Sequence, residues 1–396
     1  MDILRDPNFD FMKYRRFWIG LSFVTILAGL VGIFFLDRLN FGVDFAGGTQ
    51  MTLEFREEPN VEELRSLVAG AGYSDAVIQR FGVAGSKEVM LRTPIVGGSE
   101  EGSAARLRAA LDARYNEGGG SVDLNQVGAA TVAEVLTQAN PDAIAVAAAA
   151  AHYQSVAAAV MAERKELGLF TSWDQVSRVA GVSAASVAAL HRAATLGDFA
   201  VLGVENVGPQ VGAELRQRGI LAVAGAMVGM LLYIWLRFEL RFAVGATMAV
   251  LHDVLITLGF FAWAGHEFNL TTVAAFLTLI GYSVNDTVVT FDRVRENLRR
   301  HRTADSVELL NRSINQTLSR TVLTGGTTIA AALSLYLLGG DVLRGFAFVM
   351  AVGIVVGTYS SIFIASPFAL LWEHWFGGGR RERGSAKPVS ASPARP

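Results

Sequence analysis

The sequence predicts a polytopic α-helical membrane protein of six transmembrane helices, with an α+β domain between the first helix and the second. Three observations carry that prediction. Hydrophobic residues make up 52% of the chain and the mean hydropathy is +0.37, above what a soluble domain requires. Apolar runs of about the 20 residues needed to cross a bilayer recur six times. Between the first run and the second lies a long stretch that contains none, and alternates instead like strands and amphipathic helices.

Residues 1–16 hold Arg5, Lys13, Arg15 and Arg16, and Phe17 to Leu36 follows as the first span. Basic residues ahead of an apolar run predict a cytoplasmic N-terminus. Leu36-Asp37-Arg38-Leu39 lacks a small-x-small cleavage site, so the run reads as an uncleaved helix rather than a signal peptide. The later spans, within 220–372, are Ile220 to Leu236, Phe242 to Ala264, Leu270 to Phe291, Thr321 to Leu338 and Phe346 to Trp372. Arg237 and Arg241 follow the second, a loop with Arg293, Arg295, Arg299, Arg300, Arg302 and Arg312 follows the fourth, and Arg380, Arg381 and Arg383 lie beyond the sixth. That distribution places both termini in the cytoplasm. Residues 373–396 are expected to be a disordered cytoplasmic tail. The net charge of −2 gives no global field for nucleic acid, and the absence of cysteine excludes disulfides and thiol chemistry without fixing a compartment.

Residues 37–219 are predicted to form a periplasmic domain. Thr49 to Phe55 alternates like a strand, Val61 to Ala71 like a helix, Ala76 to Phe81 and Glu88 to Thr93 like strands, and Ala104 to Tyr115 like a helix. A last strand at Phe199 to Glu205 completes a β-α-β-β-α-β, ferredoxin-like arrangement. Residues 116–197 interrupt it as a helical insertion, opened by Gly118-Gly119-Gly120 and rich in alanine, a strong helix former. Ala143 to Met161 is too weakly apolar, and too interrupted at His152, Tyr153, Gln154 and Ser155, to be a span. Asp123-Leu124-Asn125, Gly168 to Val176 and Val179-Ala180-Gly181-Val182 resemble the helix-hairpin-helix module of the ComEA type, whose hairpins can bind DNA phosphates through backbone amides. Here Leu136-Thr137-Gln138-Ala139-Asn140-Pro141 replaces the first hairpin without glycines, and no nucleic-acid partner is expected.

The candidate chemistry lies in the fourth span. At helical spacing Ser283, Asp286, Thr287 and Thr290 share one face, while Ile280, Val284 and Val288 lie largely off it. An acid at mid-bilayer costs about 2.5–3.5 kcal/mol on insertion scales, and such residues usually face a bundle interior and serve a proton, ion or substrate path. Asn285 precedes the acid; His252 and Asp253 are polar residues of the third span, with Thr257 one turn on. Arg320, opening the fifth span, either anchors at the interface or pairs with an internal aspartate. A carboxyl alternating between a cationic and an apolar environment would load and release a proton. Two intramembrane acids also suggest an aspartyl protease, although Val284-Asn285-Asp286 lacks the Gly-x-Gly-Asp of such enzymes. Small-residue spacings at Gly225/Gly229 and Gly353/Gly357 suit close helix packing. Neither a cofactor nor a metal is expected.

Several long segments in order carry a family resemblance: Phe41 to Thr49, Val204 to Gly212, His252-Asp253, Gly281 to Arg293 and Thr317 to Thr321. Across nearly the whole chain they resemble SecF, the membrane subunit of the bacterial SecD/SecF protein-export complex within the resistance-nodulation-division superfamily. The resemblance implies a non-enzymatic, proton-motive-force-driven role in Sec-dependent translocation across the inner membrane. It also implies that Asp286 carries the proton with Arg320 as partner, and that a SecD-like subunit, the SecYEG translocon, secreted or membrane polypeptides and the lipid bilayer are its company. A small-solute or lipid exporter of the same superfamily is the alternative. The insertion departs from the family's usual compact domain.

Overall fold

The computed structural model describes residues 7–81, 87–94, 100–116, 122–301 and 305–376. The chain divides into two compact units, Met1–Asn40 with Gly219–Pro396, and Phe41–Arg218.

In the membrane unit, six helices among the described residues are long and apolar enough to cross a bilayer: Met12–Phe34, Pro209–Arg237, Leu240–Ala264, Leu270–Arg300, Ser306–Leu338 and Val342–Trp372. The third, fourth and sixth are buried over more than half of their apolar windows, and the second is almost wholly exposed. The central three therefore carry the core, with Phe242, Ala246, Ala249, Val250, Phe291 and Ile364 among its buried residues. The first span meets the third where Gly29 faces Gly259; a Cβ on Gly29 would stand 2.8 Å from the Gly259 Cα, so only hydrogen fits. Gly353 and Gly357 do pack closely, against Leu279 and against Ser283 and Asp253, whereas Gly225 and Gly229 have nothing within 4 Å.

Helix ends differ from the hydropathy reading because hydrogen-bonded helices outrun their apolar parts. The first helix starts at Arg15, ahead of the apolar run, but ends at Phe34, two residues short of Leu36. The second begins at Pro209, whose fixed φ suits a first helical turn. The expected loop after Phe291 is a helical hairpin: the fourth-span helix continues to Arg300 and the next begins at Ser306, with Asp305 capping it by accepting from the amides of Val307 (3.2 Å) and Glu308 (3.4 Å). Asn297 binds the hairpin across, donating to Ser313 Oγ (2.8 Å) and Gln316 Oε1 (2.9 Å). Arg293, Arg295, Arg299, Arg300 and Arg312 thus lie on helices, and Arg302 lies outside the described residues. The sixth span is α-helical over Gly340–Ser360, turns to π-helix over Ser361–Ala365 and resumes as Ser366–Phe376. Of the expected tail, residues 373–376 continue this helix and 377–396 lie outside the described residues.

In the second unit, Gly48–Phe55 is a central strand, paired along both edges, by Glu88–Thr93 and by Phe199–Val207. The spatial order is Val77–Phe81, Glu88–Thr93, Gly48–Phe55, Phe199–Val207, all antiparallel, which is the ferredoxin-like order. Met51, Leu53 and Phe55 point inward onto Leu64 and Val68 of helix Val61–Gly70 and Leu107 and Leu111 of helix Glu100–Tyr115. At the start of the central strand Gly47 adopts φ +72°, and a Cβ on Gly48 would approach the Thr93 carbonyl oxygen to 2.5 Å.

The insertion has its own core, in which Tyr153, Val156, Phe170 and Leu190 are buried. Its helices are Ala129–Ala139, Val146–Leu167, Trp173–Ser177 and Ala184–Ala193; the glycines at 118–120 lie outside the described residues. Its two ends meet: Val122 pairs with Ala194 and Asp123 with Thr195. The buried Asn125 closes this neck, accepting from the Phe170 amide (2.8 Å) and donating to the carbonyls of Phe170 (3.0 Å) and Gly197 (2.9 Å). Asp123 beside it accepts from the amides of Asn125 and Gly197 (both 2.9 Å), yet burial pushes its carboxyl above the ordinary value.

In the first hairpin Asn140 takes the left-handed φ of 36° that a glycine would otherwise supply. Its carboxamide binds both polar groups of Ile144, and Tyr153 Oη accepts from the Asp142 amide at 3.0 Å. The Asp142 carboxylate accepts from Ser183 and from Ser186 Oγ (2.8 Å), at the start of helix Ala184–Ala193. The amides of Asp142 and Ile144 in this hairpin, and that of Ser186 at the start of helix Ala184–Ala193, are thus engaged by the protein's own side chains rather than open to a phosphate.

Candidate functional site

The fourth-span face is built by periodicity alone: Ser283, Asp286, Thr287 and Thr290 are all buried, at 4% exposure or less. Their hydroxyls do different work from each other. Thr287 donates to the Ser283 carbonyl (3.3 Å) and Thr290 to the Asp286 carbonyl (3.1 Å), so both protons go to the helix's own backbone and neither hydroxyl donates to the Asp286 carboxylate. Among the described residues no hydrogen bond or ion pair reaches that carboxylate. Burial is the larger influence on it, and the charge of Arg320 on the fifth span acts on it through space. Arg320 itself is exposed in this chain, as is Asn285, which falls off the polar face and does not join the site.

Asp253 lies in a different setting. It is fully buried on the third span and its carboxylate is surrounded by donors. His252 Nδ1 meets Oδ1 at 2.8 Å, and Oδ2 accepts from Ser283 Oγ at 2.5 Å and Ser360 Oγ at 2.8 Å. The far nitrogen of His252 faces Ser22 Oγ of the first span at 2.9 Å and Tyr359 Oη of the sixth at 2.7 Å, and those two hydroxyls are 3.0 Å apart. The cluster joins four spans. Ser283 belongs to both settings, since it shares the Asp286 face yet donates to Asp253. With both Asp253 oxygens held by other groups, no proton is shared between the two aspartates, and the aspartyl-protease alternative has no dyad to rest on.

Ser22, Tyr359 and Ser360 were not among the sequence candidates. A lone serine in an apolar first span carries no signal, whereas the polar run Thr358-Tyr359-Ser360-Ser361 within the last span is one that could have been read. Among the described residues no group of His, Asp and Glu side chains has the arrangement of a metal site.

Comparison with known proteins agrees with this architecture. Residues 187–375 match the family described as protein export membrane protein SecD/SecF, C-terminal, and residues 32–58 match the SecD/SecF GG motif. The protein translocase subunit SecF of Koribacter versatilis is 37% identical, over 99% of this chain and 98% of its own. That of Desulfurispirillum indicum is 36% identical over 93% of each. The crystal structure of SecDF, a translocon-associated membrane protein from Thermus thermophilus, superposes with a TM-score of 0.66 at 30% identity, covering 93% of this chain. The chain spans 39% of that longer SecDF chain. The relatives matched end to end are translocase subunits, which leaves the solute or lipid exporter without support. The chain belongs to the SecF family of protein translocase subunits, as a multi-pass membrane protein.

Proposed function

We propose that the chain couples proton movement through the membrane unit to Sec-dependent export, with Asp286 as the carrier. The observation that supports this is the contrast between the burial of Asp286 and its lack of hydrogen-bond partners, with Arg320 acting from the neighbouring span. An apolar surrounding favours a carboxyl's neutral form and a nearby guanidinium its ionised form, so moving Arg320 relative to Asp286 switches the state that is favoured. A potential supplies about 2.3 kcal/mol per charge per 100 mV, enough to bias such a cycle. On this reading both termini are cytoplasmic in the bacterial inner membrane, the Phe41–Arg218 unit is periplasmic, and a SecD-like subunit supplies the other half of the pathway. The SecYEG translocon and emerging polypeptides are the working partners. The self-engaged first hairpin of the insertion supports leaving nucleic acid out.

Asp286→Asn keeps the size and removes the titration. In vesicles carrying the chain with its SecD-like subunit and translocon, the variant inserts and assembles as before, but export falls to the level measured without a proton gradient. Full gradient-dependent export by Asp286→Asn would sink the carrier assignment.

A further inference from the structure

We propose that the His252–Asp253 pair is a second proton site of the membrane unit, lying before Asp286 on the proton's path. This rests on the proton-driven reading above and adds a site to it.

The first argument is hydrogen-bond bookkeeping. Asp253 already accepts from Ser283 and Ser360, and turns its other oxygen to His252 Nδ1. That arrangement suits a proton on Nδ1, which leaves Nε2 to face Ser22 and Tyr359. A hydroxyl can donate or accept. A bare Nε2 can receive the proton of either hydroxyl while the other bonds its neighbour at 3.0 Å, and a protonated Nε2 can donate to either oxygen. Both charge states are thus satisfied without moving a heavy atom. A cluster that served only as a buried staple would need one state, and a carbonyl or an amide at Nε2 would hold it there.

The second argument is charge. With Nε2 bare the pair carries one negative charge in a fully buried place, and no arginine or lysine contacts it among the described residues. One added proton makes it a net-neutral ion pair, which removes most of the penalty of burying a charge. The titratable group facing the pair from the sixth span is Tyr359; the first span offers only Ser22, and the fourth offers Ser283, with Asp286 one turn further on.

The third argument is position. Thr257, one turn from Asp253 toward the Ala264 end of the third span, is buried with its hydroxyl unpartnered, the kind of orphan that binds a relaying water. On the antiparallel fourth span, Asp286 lies from Ser283 toward the opposite end, Arg300. Thr257, the pair, Ser283 and Asp286 therefore follow one another along the bilayer normal, from the external side inward on the proposed orientation. Tyr359 and Ser360 directly precede the buried π-helical turn Ser361–Ala365, an irregularity that recurs at functional sites.

The test uses the full chain, 15N-labelled and with its five other histidines changed to Gln, reconstituted with its unlabelled SecD-like subunit so that His252 alone reports in 15N NMR. The imidazole signals convert from the neutral to the doubly protonated pattern as the pH is lowered. Asp253→Asn moves that transition, while Asp286→Asn leaves a transition in place. A single unchanging tautomer across the range would overturn the proposal, as would a transition that Asp253→Asn does not move. The readout needs no transport, so retention of export by Asp286→Asn, which would remove the carrier reading, is a separate result.

Discussion

Asp253 and Asp286 lie on adjacent antiparallel spans and are both almost fully buried, at 0% and 4% exposure, yet their surroundings are opposites. Three side chains from three spans hold the Asp253 carboxylate, whereas none among the described residues donates to that of Asp286. A membrane offers no water to make up a missing hydrogen bond, so each bond at Asp253 fixes structure, whereas at Asp286 no protein hydrogen bond has to be given up when the carboxyl gains or loses a proton. The difference teaches that burial alone does not mark a transport acid. The supply of donors around an acid decides how firmly the fold holds it.

The comparison breaks if truncating the two acids has the same consequence. Asp253→Ala strands His252, Ser283 and Ser360 and is expected to destabilise the solubilised complex by about 2–5 kcal/mol, read as a large fall in melting temperature. Asp286→Ala strands no donor and leaves the melting temperature near that of the parent. Equal losses would mean that Asp286 has structural partners after all.

The sequence made Asp286 easy to find and the Asp253 cluster hard. An aspartate inside an apolar run is visible with no knowledge of its neighbours. The meaning of His252-Asp253 depends on Ser22, Ser283, Tyr359 and Ser360, which come together only when four spans pack, and on a π-turn that no periodicity announces. The sheet of the second unit was legible for the opposite reason. Its strands are half-buried, so each wrote the alternation of Met51, Leu53 and Phe55 into its own sequence. Helix ends were least legible where hydropathy was the guide, because the Arg293 to Arg300 segment stays helical after it becomes polar, and the Asp305 cap lies beyond it.

Packing around the cluster sharpens the comparison at smaller amplitude. Gly259→Ala places a Cβ 2.9 Å from the Gly29 Cα, forcing apart the first and third spans that carry Ser22 and His252. A loss of about 1–3 kcal/mol is expected. Gly225→Ala on the second span meets nothing within 4 Å and should be silent in a melting experiment on the same complex. Equal effects would show that the open face of the second span is packed against another chain.

The smallest effect lies in the insertion, where Asp142 is the water-side counterpart of Asp253. The Ser183 hydroxyl, followed by Ser186, holds its carboxyl below the ordinary value of 3.8. A lowered folded value means that this stabilisation is complete above pH of about 4 to 5 and drains away as pH falls through the folded value. Hydrogen exchange at the start of helix Ala184–Ala193 should therefore quicken, relative to the rest of the insertion, on acidification into that window. Asp142→Asn should remove the dependence. The same acid response in the variant would place its origin elsewhere.

The central claim is that Asp286 changes protonation as the complex works. Difference infrared spectroscopy on the reconstituted complex, recorded as a proton gradient is applied and collapsed, tests it most directly. A protonated-carboxyl band that rises and falls with the gradient in the parent and is missing in Asp286→Asn is the result this account predicts. An identical band in the variant, or none in an exporting parent, would contradict it.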